Sequence, residues 1–280
     1  MTTPPSKPAR GQGTDNALAC FDDIAAALKG RSPALFLDYD GTLVPLARRP
    51  ELAVATPRLR DTVARLSTLM PVAVVSGRGR EDVSQMLGVD GIAYAGSHGF
   101  DIRDASGADL SGDIGAPYRP ALEAAASALA DRLAPIAGAF LEDKTYSIAI
   151  HYREAAPDTH DVIRAAVDEE VARRDTLKRT GGKMIHELRP DLDWDKGTAV
   201  LRVMETLGLT PPDAVPVYIG DDETDEDAFR AIRDSGIGIK VADAGDDAAT
   251  LARYRLGTPA EVTTFLGRLA DYLEMGGASA

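Results

Sequence analysis

Short apolar runs that alternate with segments of helical spacing are the feature that most constrains how this chain folds. Between the first two runs, residues 56–70 begin with Thr-Pro and carry apolar side chains at helical spacing. Strands that alternate with helices are typical of βαβ units around a parallel sheet. We therefore predict an α/β fold whose core is a doubly wound, Rossmann-like parallel sheet. The runs expected to form strands are ALFLDY, PVAVVSG, GIAYAG, AVPVYIGDD and IGIKVA.

The middle of the chain follows a different pattern. An alanine-rich helical segment at 117–134 precedes two short runs within 139–153. A second helical segment at 157–174 precedes two more runs within 176–190, with Gly181-Gly182 at their expected turn. Apolar and polar residues alternate in these runs, which is typical of an antiparallel sheet with one covered face. The pattern predicts a small sheet covered by two helices.

The predicted domain boundaries follow from this change of pattern. Residues 17–107 and 188–280 would form the core, and residues 108–187 would form an inserted α/β lid, or cap. Residues 1–16 combine proline, lysine and glycine with no apolar stretch. We therefore expect a disordered N-terminus and no secretory signal.

Composition limits the class of partner. The 280 residues carry a formal net charge of -13, which argues against nucleic acid or an anionic membrane surface as a partner. No apolar run approaches the roughly 20 residues that span a membrane. The single cysteine, Cys20, excludes an internal disulfide. These features predict a cytoplasmic protein that contacts neither nucleic acid nor a membrane, and they leave the oligomeric state open.

Two groups of aspartates follow strands of the predicted sheet. Asp38 and Asp40 end the first run, and Asp221, Asp222 and Asp225 follow the fourth. Because ligands of open α/β sheets bind outside the carboxyl ends of the strands, we expect both groups in one crevice. Two carboxylates about 4 Å apart repel by roughly 4 kcal/mol at an effective dielectric near 20. Oxygen ligands with no His or Cys nearby fit a hard cation, so the sequence predicts a Mg2+ site.

Two other segments suit an anion such as phosphate. Ser76 and the backbone N–H groups of Gly77 and Arg78 follow the second strand, where successive amides can surround an anion. Lys196 lies in the first turn of a predicted helix, where its ammonium group and the helix N-terminus both favour negative charge. The crevice is therefore expected to bind an anion.

These motifs, in this order, resemble those of a known superfamily. DYDGTL, VVSGR, Lys196 and GDDETDEDAF are similar to the four motifs of the haloacid dehalogenase superfamily of phosphohydrolases. GSHGFDI (96–102), LEDKTYSIAIHYR (141–153) and KMIHELRP (183–190) further resemble segments of trehalose-6-phosphate phosphatases. The resemblance covers roughly residues 34–270.

The resemblance implies a two-step mechanism and a role for each motif. Asp38 would be the nucleophile that forms an aspartyl-phosphate, and Asp40 would act as general acid and then as general base. The implied Mg2+ ligands are Asp38, the Asp40 carbonyl and Asp221, with Asp225 and Asp222 supporting through water. The residues implied to hold the phosphoryl oxygens are Thr42, Ser76 and the catalytic Lys196.

The lid is expected to choose among sugar phosphates, because the core motifs recognise only the phosphate. Within 145–153, Tyr146, Ile148, Ile150 and Tyr152 share one face of a strand, which leaves a small polar face to cover the crevice. The resemblance implies that Lys183 and Glu187 bond sugar hydroxyls. Further candidates are Glu142, Lys144, His151 and Arg153, although Glu142 and Lys144 could instead pair with each other.

The resulting hypothesis is a Mg2+-dependent phosphatase that hydrolyses trehalose 6-phosphate, a small-molecule sugar phosphate, to trehalose and phosphate. One alternative is a phosphatase for another sugar phosphate, such as sucrose phosphate or mannosylglycerate phosphate. A second alternative is a catalytically idle sugar-phosphate sensor domain. The presence of Asp38, Asp40, Lys196 and Asp221 argues against an idle domain.

Overall fold

The computed structural model describes residues 15–47, 49–112, 114–182, 184–243, 245–246 and 248–277. The strands are β1 (Asp15–Asn16), β2 (Ser32–Leu37), β3 (Val72–Val75), β4 (Ala93–Gly96), β5 (Asp101–Arg103), β6 (Phe140–Asp143), β7 (Ile148–His151), β8 (Leu177–Gly182), β9 (Ile185–Pro190), β10 (Ala214–Gly220), β11 (Ile237–Val241) and β12 (Tyr254–Leu256). The helices are α1 (Phe21–Leu28), α2 (Pro57–Ser67), α3 (Arg80–Leu87), α4 (Arg119–Leu133), α5 (His160–Ala172), α6 (Lys196–Thr206), α7 (Asp225–Ile232) and α8 (Pro259–Glu274).

The larger sheet is the predicted doubly wound core. Its strand order is β1-β12-β11-β10-β2-β3-β4-β5, and every pair is parallel except the one between β4 and β5 at the edge. Leu35 and Leu37 of β2 pack with the helices α1, α2, α3 and α8, whereas Ala34 and Phe36 pack with α6 and α7 on the other face. A strand buried on both faces needs a continuous apolar run, which is why ALFL precedes the aspartates. The predicted fold class is confirmed.

The smaller sheet lies in the middle of the chain. Its order is β6-β7-β9-β8, all antiparallel, and it follows the predicted αββαββ pattern. Ile148, Ile150 and Leu188 point to the helical side, where they pack with apolar residues of α4 and α5. The opposite face of this sheet, the open face, carries Glu187, which contacts His98 of the core, so this face turns towards the core. We refer to the segment from α4 to β9 as the cap.

Several details differ from the sequence-based expectations. Asp15 and Asn16, expected to be disordered, form β1, because they pair in parallel with Tyr254 and Arg255 at the sheet edge. Residues 1–14 of the expected disordered terminus lie outside the described residues. The strands β5 and β12 were not anticipated, since three residues are too few to display a period. The predicted cap boundary at 187 falls inside β9, which continues to Pro190.

The chain reversal between β8 and β9 also differs from its prediction. Gly181 and Gly182 belong to β8, because Gly182 still pairs with Ile185 in the antiparallel ladder. The reversal therefore falls after the two glycines rather than on them.

None of the described helices is long and apolar enough to cross a membrane.

Candidate active site

A buried ammonium group bridges two buried carboxylates at the centre of the core. Asp38 lies directly after β2 with 5% of its surface exposed. Lys196 is the first residue of α6, and its Nζ lies 2.7 Å from Asp38 Oδ1 and 2.7 Å from Asp225 Oδ1. The helix begins here because the carboxylate of Asp195 accepts a hydrogen bond from the Thr198 N–H at 2.7 Å. The sequence thus brings together three of its predicted site residues.

Both oxygens of Asp225 are engaged by groups of the protein. The Tyr218 hydroxyl donates to Oδ1 at 2.6 Å, and the backbone N–H groups of Asp221 and Asp222 donate to Oδ2 at 2.9 and 3.0 Å. Asp225 is also completely buried. It therefore orients Lys196 and the turn at Asp221, which fits a supporting role rather than direct contact with a cation.

The site carries more negative charge than Lys196 offsets. Asp38, Asp221 and Asp225 each present an oxygen within 4.8 Å of the others. Burial raises the pKa of Asp38 well above its usual value; Lys196 opposes this shift, and the Asp225 and Asp221 carboxylates add to it. Burial and the neighbouring Asp225 and Asp222 carboxylates raise the pKa of Asp221 to about 6. A hard cation is the natural partner of such an oxygen cluster, so these residues fit Mg2+.

The protonation state of Lys196 follows from the same neighbours. Burial alone would lower the pKa of its ammonium group, but Asp225 and Asp38 raise that pKa well above its usual value. Lys196 therefore stays positively charged and serves as a fixed counter-charge in the crevice.

The turn after Asp40 brings the two aspartate groups into one crevice, as expected. Gly41 has a φ of +84°, and a Cβ at this position would lie 2.2 Å from Asp221 Oδ2. Only glycine fits both the backbone angle and this close approach. The buried Thr42 donates its hydroxyl to Asp221 Oδ1 at 3.1 Å. Thr42 thus lies within the predicted metal and phosphate site.

Ser76 and Gly77 lie at the neighbouring strand end. Leu37 of β2 pairs in register with Val74 of β3, so the residues that follow these strands are adjacent. Ser76 is buried, with 2% exposure, and its hydroxyl accepts a hydrogen bond from the Arg78 N–H at 3.2 Å. The predicted phosphate loop is therefore next to Asp38.

The Arg78 side chain has a partner that the sequence did not reveal. Its Nε donates to Asp40 Oδ2 at 2.5 Å, and a terminal nitrogen donates to Asp40 Oδ1 at 2.8 Å. Further bonds run to Asp82 at 2.9 Å and to the Pro50 carbonyl at 3.0 Å. Only the backbone N–H of Arg78 was expected to serve the site. The guanidinium instead fixes the orientation of the predicted acid–base residue Asp40.

Glu187 and Lys144 lie where the cap meets the core. Glu187 is 9% exposed, and its Oε1 accepts the Ser147 hydroxyl at 2.8 Å. The Lys144 Nζ lies 3.6 Å from the same oxygen and donates to the Gly77 carbonyl at 3.2 Å. Two of the predicted sugar-binding residues are therefore next to the phosphate loop. Lys183 lies outside the described residues.

The remaining cap candidates lie farther along the open face or beyond it. Glu142 Oε2 is 2.8 Å from His151 Nε2, and this ring stacks on Phe140 with a centroid distance of 4.5 Å. Glu142 thus bonds His151 rather than Lys144, the partner considered from sequence. Arg153 is exposed and lies two residues after the end of β7.

A further residue joins core and cap at this point. His98, in the segment after β4, places its Nε2 3.2 Å from Glu187 Oε2. The segment GSHGFDI contributes to the family resemblance, but the sequence predicts no role for its histidine. A histidine beside glycines after a buried strand was the available signal.

Comparison with known proteins decides the family. Residues 36–260 match the family model for trehalose-phosphatase. The chain belongs to the trehalose-phosphatase family. It is 44% identical over 257 residues to a trehalose-phosphate phosphatase of Mycobacterium avium (strain 104), a match that covers 90% of this chain and 66% of that protein. The chain thus spans just under two thirds of the length of that relative.

Solved structures share the same architecture. A trehalose-6-phosphate phosphatase related protein superposes with a TM-score of 0.76 at 25% identity, covering 88% of this chain and 100% of that one. The C-terminal domain of a C. albicans trehalose-6-phosphate phosphatase superposes with a TM-score of 0.73 at 22% identity, covering 92% and 98%, which shows the shared fold. The family resemblance expected from the motifs is confirmed for this member of the trehalose-phosphatase family.

Proposed function

We propose that this chain is a Mg2+-dependent phosphatase that hydrolyses trehalose 6-phosphate to trehalose and inorganic phosphate through an aspartyl-phosphate intermediate, in the cytoplasm. The observation that carries the proposal is the buried Asp38–Lys196–Asp225 bridge beside Asp221. The M. avium relative, a trehalose-phosphate phosphatase, supports the substrate.

In the first step Asp38 attacks phosphorus and the bond to the sugar oxygen breaks. Lys196 holds Asp38 Oδ1 at 2.7 Å, so Oδ2 is the oxygen assigned to the attack. Arg78 donates to both oxygens of Asp40, so one of these bonds must break for Asp40 to carry the proton that it gives to the departing sugar oxygen. In the second step Asp40 takes a proton from the water that attacks the phosphoryl group, and Asp38 is released as a carboxylate.

The phosphoryl oxygens need compensating charge and hydrogen-bond donors. Thr42, Ser76, the Gly77 and Arg78 N–H groups and Lys196 would supply these from the protein. Asp38, the Asp40 carbonyl and Asp221 would hold Mg2+, with Asp225 and Asp222 behind them. When bound, the cation would offset the charge that spreads over the phosphoryl oxygens in the transition state.

Choice of the sugar is assigned to the cap. Lys144 and Glu187 are the described cap residues next to the phosphate loop, because Lys144 donates to the Gly77 carbonyl and Glu187 lies beside it. A disaccharide that extends from a phosphate bound at this loop would meet both side chains. Lys183, Glu142, His151 and Arg153 remain proposed contacts of the second sugar unit.

The test is phosphate release from a panel of phosphate esters, with EDTA and with Mg2+. The panel contains trehalose 6-phosphate, sucrose phosphate, mannosylglycerate phosphate and glucose 6-phosphate. We expect trehalose 6-phosphate to be hydrolysed with the highest kcat/KM, no turnover in EDTA, and recovery on addition of Mg2+. Asp38→Asn serves as the control for contaminating phosphatases. A preference for another ester would refute the substrate, and full activity in metal-free buffer would refute the cation.

A further inference from the structure

The segment that follows β4 has an unusual backbone. Ser97 and His98 have φ values of 49° and 57°, and Gly99 follows with 95°. Residues with a side chain rarely adopt positive φ, and such a backbone persists only where its surroundings enforce it. Both side chains are buried, since Ser97 is 0% and His98 8% exposed. Two adjacent strained residues at a strand end beside the crevice indicate a role beyond turning the chain.

Backbone hydrogen bonds fix this segment to the phosphate loop. The His98 N–H donates to the Ser76 carbonyl at 2.9 Å, and the Ser97 N–H donates to the Arg78 carbonyl at 2.6 Å. The imidazole packs on Gly77, where a Cβ would lie 2.8 Å from the ring carbon Cε1. The backbone bonds do not involve the imidazole, so they anchor His98 beside the residues proposed to bind phosphate whatever its side chain bonds.

Three hydrogen bonds cross from this part of the core to the cap. His98 Nε2 lies 3.2 Å from Glu187 Oε2, and the Ser97 hydroxyl donates to the Lys144 carbonyl at 2.9 Å. In the opposite direction, the Lys144 Nζ donates to the Gly77 carbonyl at 3.2 Å. The same two cap residues that lie next to the phosphate loop are thus held by the strained segment.

The ionisation state of Glu187 determines which residue of the His98–Glu187 pair donates the hydrogen bond. Burial alone would raise the pKa of Glu187, but the hydrogen bond with His98 and the nearby Lys144 hold that pKa below its usual range. An ionised carboxylate only accepts hydrogen bonds, so the proton of this bond lies on His98 Nε2. His98 Nδ1 is buried and has no hydrogen-bond partner among the described residues, so the bond to Glu187 is the polar contact that orients the ring.

We propose that His98 is a positioning residue that couples closure of the cap to the phosphate loop by holding Glu187 over the crevice. This inference rests on the proposed function and deepens it, since it assigns part of the choice of a sugar phosphate to a core residue. When the cap opens, Glu187 leaves His98 and the strained segment loses its partner. When the cap closes, the bond re-forms and sets Glu187 over the crevice, while the Ser76–Arg78 loop keeps its bonds to the backbone N–H groups of Ser97 and His98.

The kinetic test compares a sugar phosphate with a phosphate ester that has no sugar. In His98→Ala we expect kcat/KM for trehalose 6-phosphate to fall about ten- to hundredfold, and that for p-nitrophenyl phosphate by less than about threefold. His98→Gln keeps an N–H donor near the Nε2 position and should recover most of the loss. The control is His160→Ala, which removes a cap histidine bonded to the Ala155 carbonyl at 3.1 Å. Equal losses on both substrates in His98→Ala, or no loss, would overturn the proposal.

A double variant tests whether the two residues act as one unit. If His98 works through Glu187, then His98→Ala/Glu187→Ala should lose no more kcat/KM for trehalose 6-phosphate than Glu187→Ala alone. Multiplied losses would mean that His98 acts independently of Glu187, which contradicts the assignment.

A readout without substrate separates this inference from the proposed activity. Trp194 is the chain's single tryptophan; it follows the last cap strand, and its ring lies 6.1 Å from that of Phe100 in the His98 segment. We expect acrylamide to quench Trp194 fluorescence more strongly in His98→Ala than in the parent and in His98→Gln. Unchanged quenching would overturn the coupling whatever the substrate. If the parent does not hydrolyse trehalose 6-phosphate but His98→Ala still shows stronger quenching than the parent, only the proposed substrate is refuted. Circular dichroism identifies a variant that fails to fold.

Discussion

Replacement of Lys196 by methionine removes the one positive charge that bridges Asp38 and Asp225. Lys196 is 3% exposed and lies 2.7 Å from an oxygen of each carboxylate. Methionine keeps much of the side-chain volume, so the change is chiefly one of charge. The variant leaves two buried carboxylates facing each other with no ammonium group between them.

The size of the effect follows from the geometry. Oxygens of Asp38 and Asp225 lie within 4.8 Å of each other, where two unit charges repel by about 3.5 kcal/mol at an effective dielectric near 20. Removal of one partner of a buried ion pair typically costs about 3–5 kcal/mol. We therefore expect Lys196→Met to lower the free energy of unfolding by about 3–5 kcal/mol in EDTA at pH 8. Mg2+ should restore more stability to the variant than it adds to the parent.

Urea denaturation followed by circular dichroism measures these differences, with EDTA and with Mg2+. The matched control is Lys196→Met/Asp225→Asn, in which the second charge is also removed. The asparagine can turn its oxygen to the Asp221 and Asp222 N–H groups and its amide nitrogen to Tyr218, so the double variant should be more stable than Lys196→Met. A change below about 1 kcal/mol in EDTA, with no response to Mg2+, would show that the carboxylates are not charged together and would refute the reasoning.

Three other expected outcomes follow from the same contacts. Glu187→Ala should lower kcat/KM for trehalose 6-phosphate about ten- to over a hundredfold, because each lost charge-assisted hydrogen bond is worth roughly 1.5–3 kcal/mol. The control variant Glu169→Ala, at an exposed position of the cap, should match the parent. If Glu187→Ala loses as much activity on p-nitrophenyl phosphate, a sugar contact is contradicted. Gly41→Ala places a Cβ 2.2 Å from Asp221 Oδ2; calorimetry should show weaker Mg2+ binding, and unchanged affinity would contradict a cation at Asp221. Burial lowers the pKa of His98 below the usual 6.5, and Arg189 and Lys196 add to this while Glu187 opposes it. The unfolded chain therefore takes up the His98 proton more readily below about pH 6.5, so the contribution of His98 to stability is lost with acid. Relative to the parent, the urea midpoint of His98→Gln should rise as the pH falls from about 7.5 to about 5.

The local pattern of apolar residues in the sequence was sufficient to predict most strands and helices of the core. The apolar runs of β2, β3, β10 and β11 are buried on both faces, and the helices between them carry apolar residues on one side, so sequence periodicity and burial agree. The short strands β1, β5 and β12 depend on pairing with distant segments rather than on their own composition. Their formation is therefore set by the sheet edge and leaves little signal in the sequence.

The candidate site likewise has features that the sequence predicts and contacts that it does not. Aspartates after strands and a lysine at a helix start could be assigned to one crevice because parallel strands end on the same side. Which side chain contacts which could not be predicted in this way. Arg78 meets Asp40 across 38 residues and His98 meets Glu187 across 89, and no local period reports such pairs. The positive φ of His98 likewise leaves no local period in the sequence.

The aspartyl-phosphate on Asp38 is the central claim, and trapping it is the most direct test. The full chain is mixed with trehalose 6-phosphate and Mg2+, quenched in acid during turnover, reduced with borohydride and digested for mass spectrometry. An acyl phosphate is reduced to an alcohol, so Asp38 should appear as homoserine in the peptide that contains DYDGT. Asp40→Asn should increase this product, because Asp40 is assigned as the base for hydrolysis. Asp38→Asn should give none. Unmodified Asp38 during full turnover, or homoserine at another aspartate, would contradict the account.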